Sequence, residues 1–122
     1  MPTTDPDRAH ETLRPEECLR LLGTAAIGRL AYTQAALPAV RPVTFTLDAG
    51  DVRIPARTGS TLVSAVRGAV VAFESDAYDP DARTGWTVTV VGPSRVMDVR
   101  AGECVIAIGL GMVSGWRTGL PA

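Results

Sequence analysis

Arg57, Thr58, Ser60 and Thr61 stand together around Gly59 and form the densest group of ligand-binding side chains in this chain. A guanidinium beside three hydroxyls suits a phosphate, because the planar fork presents paired charged donors and the hydroxyls add neutral ones. The run before it, Asp51 to Ala56, reads as extended, and Leu62, Val63, Ala65 and Val66 follow with helical spacing. The group therefore falls at a strand-to-helix junction, where unpartnered amides and the helix dipole favour an anion. Ser60 by itself fits an N-cap equally well.

Other kinds of chemistry are removed by what the chain lacks. Its 12 basic side chains are all Arg, which excludes Schiff-base chemistry, a lysine general base and a Walker A loop. The single His, His10, has no partner for a Ser-His-Asp relay or a histidine-rich metal site. Cys18 and Cys104 are far apart in sequence and read as small buried hydrophobes of a protein in a reducing compartment. Gly109-Leu110-Gly111 follows a strand, but too little chain remains for a dinucleotide-binding helix, so it reads as a turn. Asp76, Asp79 and Asp81 fail the EF-hand pattern at Pro80 and Ala82 and read as a solvated loop without a metal.

These residues must be positioned by a small scaffold. A chain of 122 residues, 46% of them hydrophobic, makes one domain. Its 12 basic and 13 acidic side chains are interspersed, which predicts neither a nucleic-acid stripe nor a polybasic membrane patch. No run suggests a signal or a membrane span, so a cytoplasmic protein is expected. Residues 1–12 read as a disordered tail and 13–122 as the domain. A short helix is predicted over roughly 15–23, with Pro15 in its first turn and Glu16 and Glu17 at its positive end.

Strands are predicted from Ala26 to Tyr32, Ala39 to Leu47 and Val52 to Ala56, with a turn near Ala36-Leu37-Pro38. Pro42 forbids a ladder bond at its position, so its strand is interrupted, lies at an edge, or faces something other than another strand. Gly28 marks either a close backbone approach or a bulge. After the junction helix come a strand from Ala69 to Glu74 and a polar loop from Ser75 to Gly85. Strands from Trp86 to Val91, Ser94 to Val99, Cys104 to Ile108 and Met112 to Trp116 follow. So many short strands with two short helices describe a mainly β protein, a small barrel.

Three segments remain as candidates: the junction, Arg41-Pro42-Val43-Thr44-Phe45, and Gly85-Trp86-Thr87. A planar redox ring needs flat apolar walls, backbone contacts to its edge and a separate grip for a phosphate tail, and these segments supply all of them. Trp86 also suits a core or interface anchor, and Phe45 suits the core.

The order of the motifs adds a resemblance. The Cys18 helix, Ile27-Gly28-Arg29-Leu30-Ala31, Pro42-Val43-Thr44-Phe45, Arg57-Thr58-Gly59-Ser60, Val71-Ala72-Phe73-Glu74 and Gly85-Trp86-Thr87-Val88 together resemble the pyridoxamine 5′-phosphate oxidase-like flavin-binding proteins. The resemblance implies a split β-barrel and a homodimer with flavin mononucleotide (FMN), or a deazaflavin coenzyme, at the subunit interface. It implies that Arg57, Thr58, Ser60 and Thr61 grip the phosphate. It also implies that Val43 and Thr44 offer backbone contacts to the ring, and that Trp86 and Thr87 lie where the partner subunit approaches. Arg41 is a weaker candidate, and Arg29 serves structure.

Against that pattern, Thr61 stands where many relatives have Lys or Arg, and the loop after Thr58 is tighter. A helix of about five turns between Val99 and Cys104 is replaced by Arg100-Ala101-Gly102-Glu103. The function implied is a flavin-dependent oxidoreductase acting on a small planar redox substrate. The alternatives are a non-catalytic module for flavin or haem and a barrel without cofactor.

Overall fold

The computed structural model describes residues 10–48 and 50–119. Helix α1 (Pro15–Leu22) starts and stops where Pro15 and Gly23 direct, and turns Cys18, Leu21 and Leu22 inward. Strand β2 (Ile27–Gln34) alternates as its sequence does, with Gly28, Leu30 and Tyr32 inward and Ile27, Arg29 and Thr33 outward. Ala35 and Ala36, both at positive φ, make the turn into β3 (Leu37–Thr44), so Leu37 and Pro38 already belong to the strand.

The prolines of β3 do not interrupt it, because this strand is an edge: the sheet runs β3, β2, β6 (Val70–Asp79), β7 (Thr84–Arg100), β8 (Glu103–Gly109), β5 (Asp51–Arg57), β4 (Thr46–Asp48). The break comes at Phe45, which leaves the ladder and enters the core edge-to-face against Phe73, centroids 4.6 Å apart. Beyond it, β4 (Thr46–Asp48) and β5 (Asp51–Arg57) pair antiparallel. Helix α2 (Thr61–Val66) buries Leu62, Val63 and Val66 and packs against β2 and β7.

Strand β6 (Val70–Asp79) pairs with β7 (Thr84–Arg100) out to Asp79 opposite Thr84. The segment Ser75 to Gly85, expected as a polar loop, is thus two strand arms joined by a turn. Beyond the buried Ser75, the stretch from Asp76 to Asp79 is exposed to water and needs no apolar side chains, so its polar composition concealed it. The turn is closed by Asp79, whose Oδ1 accepts from the amides of Asp81 and Ala82 at 3.0 and 3.4 Å.

Strand β7 is one strand of 17 residues, where a break was expected at Gly92-Pro93. At that point it changes partners: Thr84–Val91 pair with β9 (Met112–Gly119), and Ser94–Arg100 pair with β8 (Glu103–Gly109). The crossing is so tight that a Cβ at Gly92 would stand 1.8 Å from the Gly109 carbonyl oxygen. The expected close approach at Gly28 is also present: a Cβ there would meet the Phe73 ring at 2.3 Å. Between Val99 and Cys104 the chain makes only a turn at Ala101-Gly102.

Residues 10–12, expected within the disordered tail, form β1 (His10–Thr12) on the edge of β9, in register with Trp116–Thr118. The pairing uses backbone groups alone, which no side-chain pattern announces. Residues 1–9 lie outside the described residues. The whole is a split β-barrel: an antiparallel sheet around a core that includes Leu22, Leu30, Ile54, Phe73, Val88 and Ile106. Cys18 and Cys104 are buried free thiols, and burial together with the neighbouring Glu17 pushes the Cys18 thiol up from its ordinary value. Among the described residues no helix is long and apolar enough to cross a membrane.

Candidate functional site

The register of β5 on β8, from Asp51 opposite Gly109 to Arg57 opposite Glu103, carries the chain to the barrel rim. Arg57 is the last residue of the strand; its side chain is exposed and makes no ion pair among the described residues. The Thr58 amide donates to the Gly102 carbonyl at 3.1 Å, tying the junction to the β7–β8 turn. Gly59 has φ +81° with open space where a side chain would stand, so glycine is needed there for the backbone and not for room.

Ser60 is the N-cap of α2, its Oγ accepting from the Val63 amide at 3.2 Å. A hydroxyl that accepts from a helix amide keeps its own proton to donate, so capping and ligand binding are compatible at Ser60. Thr61 opens the helix and is exposed. The Thr58 Oγ1 is buried with no hydrogen-bond partner among the described residues.

The candidate residues line separate cavities, and Trp86 lines two that overlap. Ser60 and Thr61, with Ser64, Thr33 and Gln34 of the β2–β3 turn region, form a hydroxyl-rich cleft of about 310 Å³. Arg57 lines a different cavity of about 600 Å³, together with Arg100, Asp98 and Glu103. Trp86 and Thr87, both half-buried on β7, line a third of about 270 Å³ with Asp76, Tyr78 and Thr118. Val43, half-buried opposite Gly28, and Thr44, exposed opposite Ile27, lie on the edge strand and line none of these three. Arg41 is exposed opposite Leu30, and Arg29 reaches Asp76 at 3.4 Å across β2 and β6.

A second charged group lies on the same outer sheet face as Arg57. Asp51, 4% exposed, receives the Arg53 Nε at 2.8 Å and the Arg95 Nη2 at 2.7 Å. Burial pushes its carboxyl up, but the hydrogen bonds from Arg53 and Arg95 outweigh burial and hold it below the ordinary carboxylate value.

Sequence reasoning missed the charged cavity, because Arg57 joins Arg100 and Glu103, themselves close in sequence, only through the pairing of β5 with β8. It also missed the hydroxyl cleft's Ser64. That residue had a signal: Ser60 and Ser64 are four apart, a spacing that puts both on one side of a helix start.

The pyridoxamine 5′-phosphate oxidase family profile matches residues 14–108. An uncharacterized protein of Mycobacterium tuberculosis is 43% identical over 94 residues, covering 71% of this chain; the chain spans 62% of that protein's length. The FAD binding protein of Mycobacterium smegmatis superposes with a TM-score of 0.78 at 30% identity, over 88% of this chain and 97% of that one. An FAD-binding protein of Mesorhizobium loti has the same fold at 18% identity, TM-score 0.77, covering 91% of this chain and 98% of the other.

Proposed function

This chain belongs to the pyridoxamine 5′-phosphate oxidase family, and from that premise we propose that it is a flavin-binding oxidoreductase whose cofactor lies at a homodimer interface. The observation behind this reading is the Arg57–Thr61 junction, where a strand ends on a guanidinium that makes no ion pair among the described residues and a hydroxyl cleft opens three residues on. The cleft hydroxyls suit a flavin phosphate, since Ser60 and Thr61 have protons free to donate, and Arg57, which lines a separate cavity, would have to swing toward the cleft to add its charge.

Both FMN and flavin adenine dinucleotide (FAD) contain this phosphate, and the two FAD-binding proteins of the same fold support a flavin over an unrelated ligand. When bound, the flavin supplies hydride or electron transfer itself. The chain's own part is to hold and orient. Val43 and Thr44 present edge-strand backbone to the ring, since a strand at a sheet edge has peptide groups unused by the ladder. Trp86 and Thr87 lie on a different strand and in a different cavity from the junction. A second subunit is what brings such separated segments to one ligand.

The substrate of this reading is a small planar redox compound that reaches the ring. Titration of flavin-free protein with FMN, FAD and a deazaflavin, followed by absorption spectroscopy, tests it. Binding of a flavin with bands that bleach on reduction is the expected result. A protein that takes up none of the three overturns the reading. Sedimentation of the loaded protein as a monomer would remove the interface from it.

A further inference from the structure

We propose that Gln34, together with Ser64, completes the phosphate grip, the Gln34 side-chain amide donating to the phosphate from the wall of the cleft that faces Ser60 and Thr61; the proposal rests on the flavin reading above. The cleft is built between two elements. Thr33 and Gln34 line it from the end of β2, and Ser60, Thr61 and Ser64 line it from the start of α2. Its volume, about 310 Å³, is at the small end of ligand pockets and suits one polar group with part of the chain attached to it.

Gln34 is the polar exception in an apolar series. The alternation of β2 buries Gly28, Leu30 and Tyr32, and Gln34 is the next residue on that side of the strand. It is half-buried, and its amide makes no hydrogen bond among the described residues. A partly buried amide without a protein partner is what a ligand acceptor satisfies. The turn that follows fixes its place: Ala35 and Ala36 stand at φ +50° and +65°, left-handed backbone made without glycine or asparagine, and Gln34 pairs with Leu37 across these two residues. A turn so short leaves the strand end no slack.

The chemistry of the cleft makes that amide matter. No charged side chain lines it, so a phosphate held there depends on the number of neutral donors that reach its terminal oxygens. Ser60 and Thr61 offer one proton each, and Ser64, four residues after Ser60 and on the same side of the helix start, offers another. Gln34 is the one side chain among those lining the cleft with two N–H donors. The side chains of Thr33, Gln34, Thr61 and Ser64 make no hydrogen bonds among the described residues, so the fold leaves these donors to the cleft. Side chains from two elements supply them, not the end of the six-residue helix by itself.

Fluorescence titration of flavin-free protein with FMN and with riboflavin, which lacks the phosphate, tests the assignment. The native protein is expected to bind FMN at least about tenfold more tightly than riboflavin, the worth of one charged hydrogen bond or more. Gln34→Glu keeps the shape, removes both donors and adds a negative charge, and should weaken FMN by about tenfold or more while leaving riboflavin within about twofold. Gln34→Leu and Ser64→Ala, which only remove donors, should each weaken FMN by about threefold or more with the same selectivity, and Arg20→Gln, on exposed α1 surface, should change neither ligand. A Glu or Leu variant of Gln34 that is folded by thermal melt and binds FMN as tightly as the native protein overturns the proposal. So does one that weakens FMN and riboflavin alike. Equal affinity of the native protein for the two overturns it as well and leaves flavin binding standing. Failure to bind either flavin would instead bring down the flavin reading, and this inference with it.

Discussion

The two ends of the β5–β8–β7 ladder use the same residue types for opposite purposes. At the end where Asp51 faces Gly109, a buried carboxylate is clamped by Arg53 and Arg95, and β7 crosses so closely that Gly92 has no room for a side chain. At the end where Arg57 faces Glu103, Arg57, Asp98, Arg100 and Glu103 stand exposed around an open cavity and make no ion pair among the described residues. Paired, buried charge and interlocked backbone hold a fold together, whereas exposed charge left to water is free to meet a ligand. In the reading proposed above, the closed end serves stability and the open end recognition.

Substitutions divide along that line. The largest effect belongs to Gly92→Ala: a methyl group 1.8 Å from a backbone oxygen forces the strands apart, at a cost of about 3 kcal/mol or more. A thermal melt within about a degree of the native protein would mean that the closed end is not tight. Arg57→Ala is next and has the opposite character. It should weaken flavin binding by about 1.5–3 kcal/mol and leave the melting temperature unchanged. If instead it lowered stability and spared binding, the two ends would have been assigned the wrong roles.

Asp51→Asn should destabilise by about 1–2 kcal/mol, the loss of charged hydrogen bonds discounted because both arginines keep contact with water. The same carboxyl sets a pH dependence. Its value in the folded protein lies below that of the unfolded chain, so its stabilisation is complete above the ordinary carboxylate range and is lost as pH falls through the lowered value. Chemical denaturation at neutral pH and in acid should therefore show the native protein losing more stability than the Asn variant. Smallest is Gly59→Ala, about 1 kcal/mol from the strained positive φ alone, with no steric term because nothing lies within 4 Å. A loss as large as at Gly92 would show that the junction is packed and not open.

Much of the scaffold was readable because side-chain periodicity reports burial. The alternation in Ile27–Gln34, the proline and acids opening α1, and the serine capping α2 each name their element through local physics. β1 and the arms from Ser75 to Gly85 were misread because backbone ladders hold them, and peptide groups bond alike whatever the residue, so composition was silent about them. In β7 the pair Gly92-Pro93 reads as a turn, whereas it marks the point where one strand passes from β9 to β8.

The candidate site divides in the same way. The junction was legible, since Arg57, Gly59, Ser60 and Thr61 are neighbours in sequence and their chemistry is local. The cavity lined by Arg57, Asp98, Arg100 and Glu103 was not, because only the pairing of β5 with β8 brings Arg57 to the hairpin that runs from Asp98 to Glu103. By itself, the sequence determined that this chain is a small β-barrel with a phosphate-suited turn between strand and helix, because periodicity, caps and turn residues act over a few positions. Only the tertiary structure decided which charges pair and which stand open, because that depends on register, and register is the joint result of every strand finding its partner.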